Sequence, residues 1–94
     1  MTKRQRIGDR MRQAAYEADV PIPGLPLVEI VDVGRVLIEN HLGVTQYGDH
    51  SICVKVKYGS IEVSGSNLIL SRMTKGQLVI SGVVDCVRLL RRYD

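Results

Sequence analysis

From residue 27 onward, apolar and polar side chains alternate with a period of two, in short runs cut by turns that carry Gly, Asp or Asn. The alternation is clearest in Ile52-Cys-Val-Lys-Val-Lys57. Ile52, Val54 and Val56 share one face there and Lys55 and Lys57 point to water, the mark of a half-buried strand. Ile61 and Val63 repeat the pattern around an outward Glu62, which is expected to neighbour a lysine across the hairpin. The runs predict strands near 27–31, 35–39, 43–47, 51–58, 60–64, 67–72, 77–81 and 83–90. Asp32-Val-Gly34, Tyr47-Gly-Asp-His50, Tyr58-Gly-Ser60 and Thr74-Lys-Gly76 each contain a residue suited to positive φ. Tight links of this kind join antiparallel neighbours, so a meander is expected.

The pattern also repeats. Ser60 to Met73 holds two alternating runs about Gly65, and seventeen residues later Leu78-Val-Ile-Ser-Gly82 leads into Val83 to Leu90. Gly65 then falls on Gly82, Val63 on Ile80 and Leu70 on Val87. A fainter copy, Val36-Leu-Ile-Glu-Asn40 followed by Val44 to Tyr47, has Asn40 in the glycine's place. Asn is the non-glycine residue that best tolerates a left-handed backbone, so each copy can bend at one point. Two architectures fit: a small sandwich or roll of bent strands, or a short β-solenoid of stacked coils. The hairpin turns favour the first, and the expected fold class is mainly β.

The run from Val83 to Leu90 departs from alternation. Val83, Val84, Cys86, Val87, Leu89 and Leu90 leave both of its faces apolar. Such a strand is either covered on both sides, for instance by an amino-terminal helix, or offers one face to a second subunit. Arg88, Arg91 and Arg92 would blunt its exposed edge.

Ahead of the strands the period changes. Ile7, Met11, Ala14 and Ala15 recur at helical spacing among arginines, predicting a narrow amphipathic helix over about residues 2–18. Gly8 weakens it, and a lone helix of this length is marginal in water. Its stripe rests either on the β domain or on a partner or anionic surface. Asp19 to Pro26 holds three prolines in a semi-rigid spacer. The expected organisation is a basic arm over 1–18, a Pro-rich linker over 19–26 and a β domain over 27–94.

Composition sharpens this picture in two respects. With no Trp or Phe among 94 residues, 45% of them apolar, the core must be made of Val, Ile and Leu. Charge is segregated: residues 1–17 carry Lys3, Arg4, Arg6, Arg10 and Arg12 against Asp9 and Glu17, whereas the rest of the chain sums to zero. A partner selected by charge would be selected by the arm. The arm could contact nucleic acid, but Tyr16 is its only aromatic and the β domain is close to neutral. No apolar stretch of signal-peptide or membrane-span length occurs, so a soluble, cytosolic protein is expected. Cys53 and Cys86 are read as buried, reduced thiols rather than a disulfide.

Catalytic chemistry finds little purchase. The histidines are His41 and His50, and no Gly-x-Ser-x-Gly elbow or phosphate-binding loop is present. His50 beside Asp49 reads as a solvated turn. Glu39-Asn40-His41 interrupts a strongly apolar run. Either Asn40 makes a bend that His41 closes by hydrogen bonding, or the three residues form a recognition patch. No enzymatic activity, metal or cofactor is expected.

Leu25-Pro-Leu, Val36-Leu-Ile-Glu-Asn-His-Leu-Gly-Val44, Gly59-Ser-Ile-Glu-Val-Ser-Gly-Ser-Asn-Leu-Ile-Leu70 and Leu78-Val-Ile-Ser-Gly82 with Val83 to Leu89 occur in this order. In that order and spacing the chain resembles the YabP/YqfC family of sporulation proteins, and its YqfC branch in particular. The basic arm and proline linker resemble that branch too, whereas the ending Leu89-Leu-Arg-Arg-Tyr and the polar Asp49-His50 turn depart from it. The resemblance implies a non-enzymatic protein of endospore-forming bacteria, acting in the mother cell around the forespore in spore-envelope assembly. It implies a protein partner, such as an integral membrane sporulation protein, or peripheral contact with the forespore membrane. Interaction residues are then expected among Lys3, Arg4, Arg6, Arg10 and Arg12 of the arm and Glu39, Asn40 and His41, with an oligomer through the last strand as a further contact. The competing expectation is a nucleic-acid-binding regulator that uses the arm's arginines.

Overall fold

In the computed structural model, which describes residues 24–92, the alternating runs become six strands. They are β1 (Leu27–Val31), β2 (Arg35–Glu39), β3 (Val44–Tyr47), β4 (Ser51–Val56), β5 (Gly59–Met73) and β6 (Gln77–Arg91). All pair antiparallel in one sheet of order β1-β2-β6-β5-β4-β3. From β3 to β6 the chain is a meander. β2 instead hands over to the far edge through residues 40–43, and β6 returns to pair with it. Solenoid coils would stack in parallel, so the antiparallel ladder excludes that alternative. No helix occurs among the described residues, and the expected amphipathic helix lies outside them.

Four of the expected strands fuse in pairs. The runs at 60–64 and 67–72 are halves of β5, and those at 77–81 and 83–90 are halves of β6. The glycine bends do not end a strand; they let both long strands turn together. Register shifts fall at this point, with two β5 residues, Asn67 and Leu68, set against Gly82, and Asp85 as the extra residue on β6. Bulges of this kind raise local twist and bend the strands. The two backbones nearly touch here. A Cβ on Gly65 would lie 1.8 Å from the Val83 carbonyl oxygen, and one on Gly82 would lie 2.5 Å from that of Asn67.

The bend gives the sheet two halves. One contains β1, β2, residues 78–81 of β6 and 69–73 of β5; the other contains β3, β4, the first half of β5 and the last of β6. A single core cluster draws on both. Val36, Ile38, Leu78 and Ile80 come from the first half, Ile52, Val54, Val56, Ile61 and Val63 from the second, and Leu68 from the bend. Each is at most 2% exposed. Tyr47 helps to close one side, its hydroxyl oxygen accepting the Leu70 N–H at 3.2 Å.

The Asp85 bulge settles the last strand. Val84 and Val87 pack against the core, while Val83, Leu89 and Leu90 remain exposed. Cys86 is exposed, and Cys53, between the buried Ile52 and Val54, is half-buried on the outer face beside Gln46 and Glu62. The expectation of buried thiols is therefore corrected: strict alternation puts Cys53 outside, and the bulge does the same for Cys86. Both are free. Cys53 faces Glu62 on β5, and Cys86 faces Ser64 from the other side of β5. They are two strand spacings apart, about 10 Å, beyond disulfide reach. A mass spectrum of protein purified without reductant should show two free thiols; an intramolecular bridge would contradict this register.

The same register corrects the expectation for Glu62. Cys53, not a lysine, stands opposite it on β4, and Arg88 stands opposite on β6, donating from Nη2 to Oε1 at 2.8 Å. With Arg88 59% exposed, the pair adds less than about 1 kcal/mol.

Candidate interaction surface

Glu39, Asn40 and His41 lie where β2 ends and the chain crosses to β3. The apolar run stops because Asn40 takes φ 62°, the left-handed conformation expected of it. Its N–H donates to the Gly76 carbonyl at 2.5 Å and its Nδ2 to that of Leu25 at 2.8 Å. His41 then bridges two segments: Nδ1 accepts from the Gly43 N–H at 3.0 Å and Nε2 faces the Thr74 carbonyl at 2.9 Å. This arrangement requires the tautomer with its hydrogen on Nε2. Gln77 donates from Nε2 to Glu39 Oε1 at 3.4 Å.

The three residues thus fasten the crossover to the segment before β1 and to the β5–β6 turn. Asn40 Nδ2 and both ring nitrogens of His41 are engaged in holding the fold. Asn40→Ala should destabilise by about 1–2 kcal/mol, through left-handed strain and the lost Leu25 bond. Asn40→Gly should cost less, because it removes the bond and not the conformation. Equal losses in chemical denaturation would show that the backbone conformation carries none of the effect.

The other expected site residues, Lys3, Arg4, Arg6, Arg10 and Arg12, lie outside the described residues. Asp49 and His50 form an exposed turn, His50 Nδ1 lying 2.9 Å from Asp49 Oδ1. Among the described residues there is no cluster of three or more His, Cys, Asp or Glu side chains able to hold a metal ion. Nor does any described helix have the length and apolarity to cross a membrane.

One grouping escapes sequence reading. Leu42, Lys55, Lys57, Tyr58 and Arg92 line an open groove of about 630 Å³ at the end of the sheet where the 40–43 crossover lies. In the sequence the lysines read singly as outward positions of the 51–58 run. Their company comes from the 40–43 crossover and from Arg92, whose N–H donates to the Tyr58 carbonyl at 2.8 Å. No local period announces that meeting.

Comparison with known proteins follows the same stretch of chain. The protein named as uncharacterized protein YqfC of Bacillus subtilis (strain 168) is 27% identical over 64 residues, covering 68% of this chain and 69% of that one. No solved structure gives a significant match. The model of the YabP family matches residues 26–93, which span every strand of the sheet, and the chain belongs to the YabP family.

Proposed function

We propose that the chain is a non-enzymatic interaction module of endospore formation, held in the mother cell at the forespore membrane by its basic amino-terminal arm. Family membership over residues 26–93 is the observation that carries the reading, because it spans the whole β sheet. The resemblance to the YabP/YqfC family implies a sporulation role, and the relative in Bacillus subtilis carries the name YqfC of that branch. The charge pattern supports the docking role: five basic residues are set apart before a proline-rich spacer, and the chain after residue 17 sums to zero. Basic residues near an anionic bilayer each contribute about 1 kcal/mol, and Ile7 and Met11 add apolar insertion. The β domain then presents its surface to a membrane protein of the same programme.

The test is the timing and place of expression. Transcripts should arise only during sporulation and only in the mother cell. Steady expression during vegetative growth would remove the basis of the assignment.

A further inference from the structure

The turns of the sheet sort by charge. At the bent end, Gly82 donates its N–H to the Gly34 carbonyl at 3.1 Å and Leu68 donates to that of Asp49 at 2.8 Å, gathering the β1–β2 and β3–β4 turns around Gly65 and Gly82. This end carries Asp32, Asp49 and Asp85 against Arg35. At the opposite end, Asn40 N–H reaches Gly76 and Leu42 N–H reaches the Lys55 carbonyl at 2.7 Å, gathering the crossover with the β4–β5 and β5–β6 turns. Here lie Lys55, Lys57, Lys75 and Arg92 against Glu39, whose carboxylate accepts from Gln77. The β domain, with eight basic and seven acidic residues over 27–94, has a small net charge that is unevenly placed between its two ends.

The groove of about 630 Å³ opens in this basic end, and no carboxylate among the described residues lines it. Among the described residues, Lys55, Lys57 and Arg92 have no carboxylate partner. Beside them Leu42 is 61% and Tyr58 62% exposed, with the Lys57 ammonium 5.4 Å from the Tyr58 ring centre. The chain also reaches the domain here from its five basic amino-terminal residues: a Cβ on Gly24 would lie 3.8 Å from Lys57 Nζ. The described chain therefore enters the sheet at its basic end.

We propose that this end of the sheet is a membrane-facing surface that rests on a bilayer containing anionic lipid. The inference rests on the membrane reading above and names the face of the β domain that it uses. Lys55, Lys57 and Arg92 lie over the lipid phosphates, while Leu42 and Tyr58 sit at headgroup level, where aromatic and apolar groups mix with water. Lysine stems bury along such a boundary with their ammonium groups in the wet layer. A small free anion would satisfy the cations and leave Leu42 and Tyr58 in water; a bilayer surface engages all five. The acidic end then points away from the membrane, so the domain's dipole favours one orientation.

The experiment is flotation of the full-length chain with vesicles of phosphatidylcholine alone or mixed with phosphatidylglycerol. The wild type should bind only the anionic vesicles. The combined variant Lys55→Gln, Lys57→Gln, Arg92→Gln should bind about 100-fold more weakly, each neutralised residue accounting for roughly fivefold. Lys57→Gln alone should lose about fivefold, whereas Arg35→Gln, which removes the same charge at the acidic end, should bind as the wild type does. Unchanged binding by the combined variant would overturn this face and leave docking to the arm alone. No binding by the wild type would overturn both readings. Binding of soluble polyglutamate or a short DNA duplex as tightly as the anionic vesicles, at equal charge concentration, would overturn the assignment to lipid.

Discussion

Replacing Gly65 by alanine is expected to destabilise the protein by about 4 kcal/mol or more, although it adds a single methyl group. The methyl carbon would sit 1.8 Å from the Val83 carbonyl oxygen, 2.9 Å from its carbon and 3.2 Å from the Asp85 nitrogen. All three are backbone atoms of β6, so no side-chain rotation can make room. The paired strands must part at the point where they bend, and the core residues on either side, Val63 and Leu68, lose their mutual position. Small domains have total stabilities of only about 5–15 kcal/mol, so much of the margin would go. Urea denaturation of wild type and variant measures it. A loss below about 1 kcal/mol would mean that the strands do not approach this closely.

Gly82→Val is expected to cost about 3 kcal/mol or more, by a different mixture of causes. At φ 141° a β-branched residue is strained, at roughly 1–3 kcal/mol, and its Cβ would also meet the Asn67 carbonyl oxygen at 2.5 Å. Gly76 separates the two contributions. It has φ 107° with open space where a Cβ would stand, so Gly76→Ala carries backbone strain alone, about 1–2 kcal/mol. Should Gly82→Val and Gly76→Ala lose equal stability, the close approach at Asn67 contributes nothing.

The predicted roles of these glycines were legible in part. Their repeat at seventeen residues marks one shared bend, and the structure sets each against the other's strand. Their physical work differs from the expectation, however. Gly65 is required for a backbone contact rather than for positive φ, whereas Gly82 combines the two. Asn40 has the left-handed backbone foreseen for it but ends a strand instead of bending one. The core was readable wherever alternation held, as in Ile52 to Val56 and Ile61 to Val63, because burial of one sheet face imposes a period of two. The expectation of burial failed at Cys53, where the alternation itself points outward, and at Cys86, where the Asp85 bulge shifts parity without a reliable local signature. The turn at Tyr58 also differs, because the tyrosine itself takes φ 67° before Gly59.

The pairing of β2 with β6 was not legible either. It joins residues about forty positions apart, and hairpin chemistry speaks only for sequence neighbours. The basic end could not be foreseen either: Leu42 meets Lys55 through the 40–43 crossover, and Arg92 meets Tyr58 through the pairing of β5 with the far end of β6. The arm's charge, by contrast, is plain in the sequence because it is contiguous.

Docking at the forespore membrane is tested most directly by immunofluorescence of the untagged, full-length chain in sporulating cells. The wild type should outline the forespore from the mother-cell side. Replacing Lys3, Arg4, Arg6, Arg10 and Arg12 together by Gln should spread the signal through the mother cell at unchanged protein level. A wild-type signal that is uniform in the mother cell, or an outline that survives the five replacements, would contradict docking through the arm.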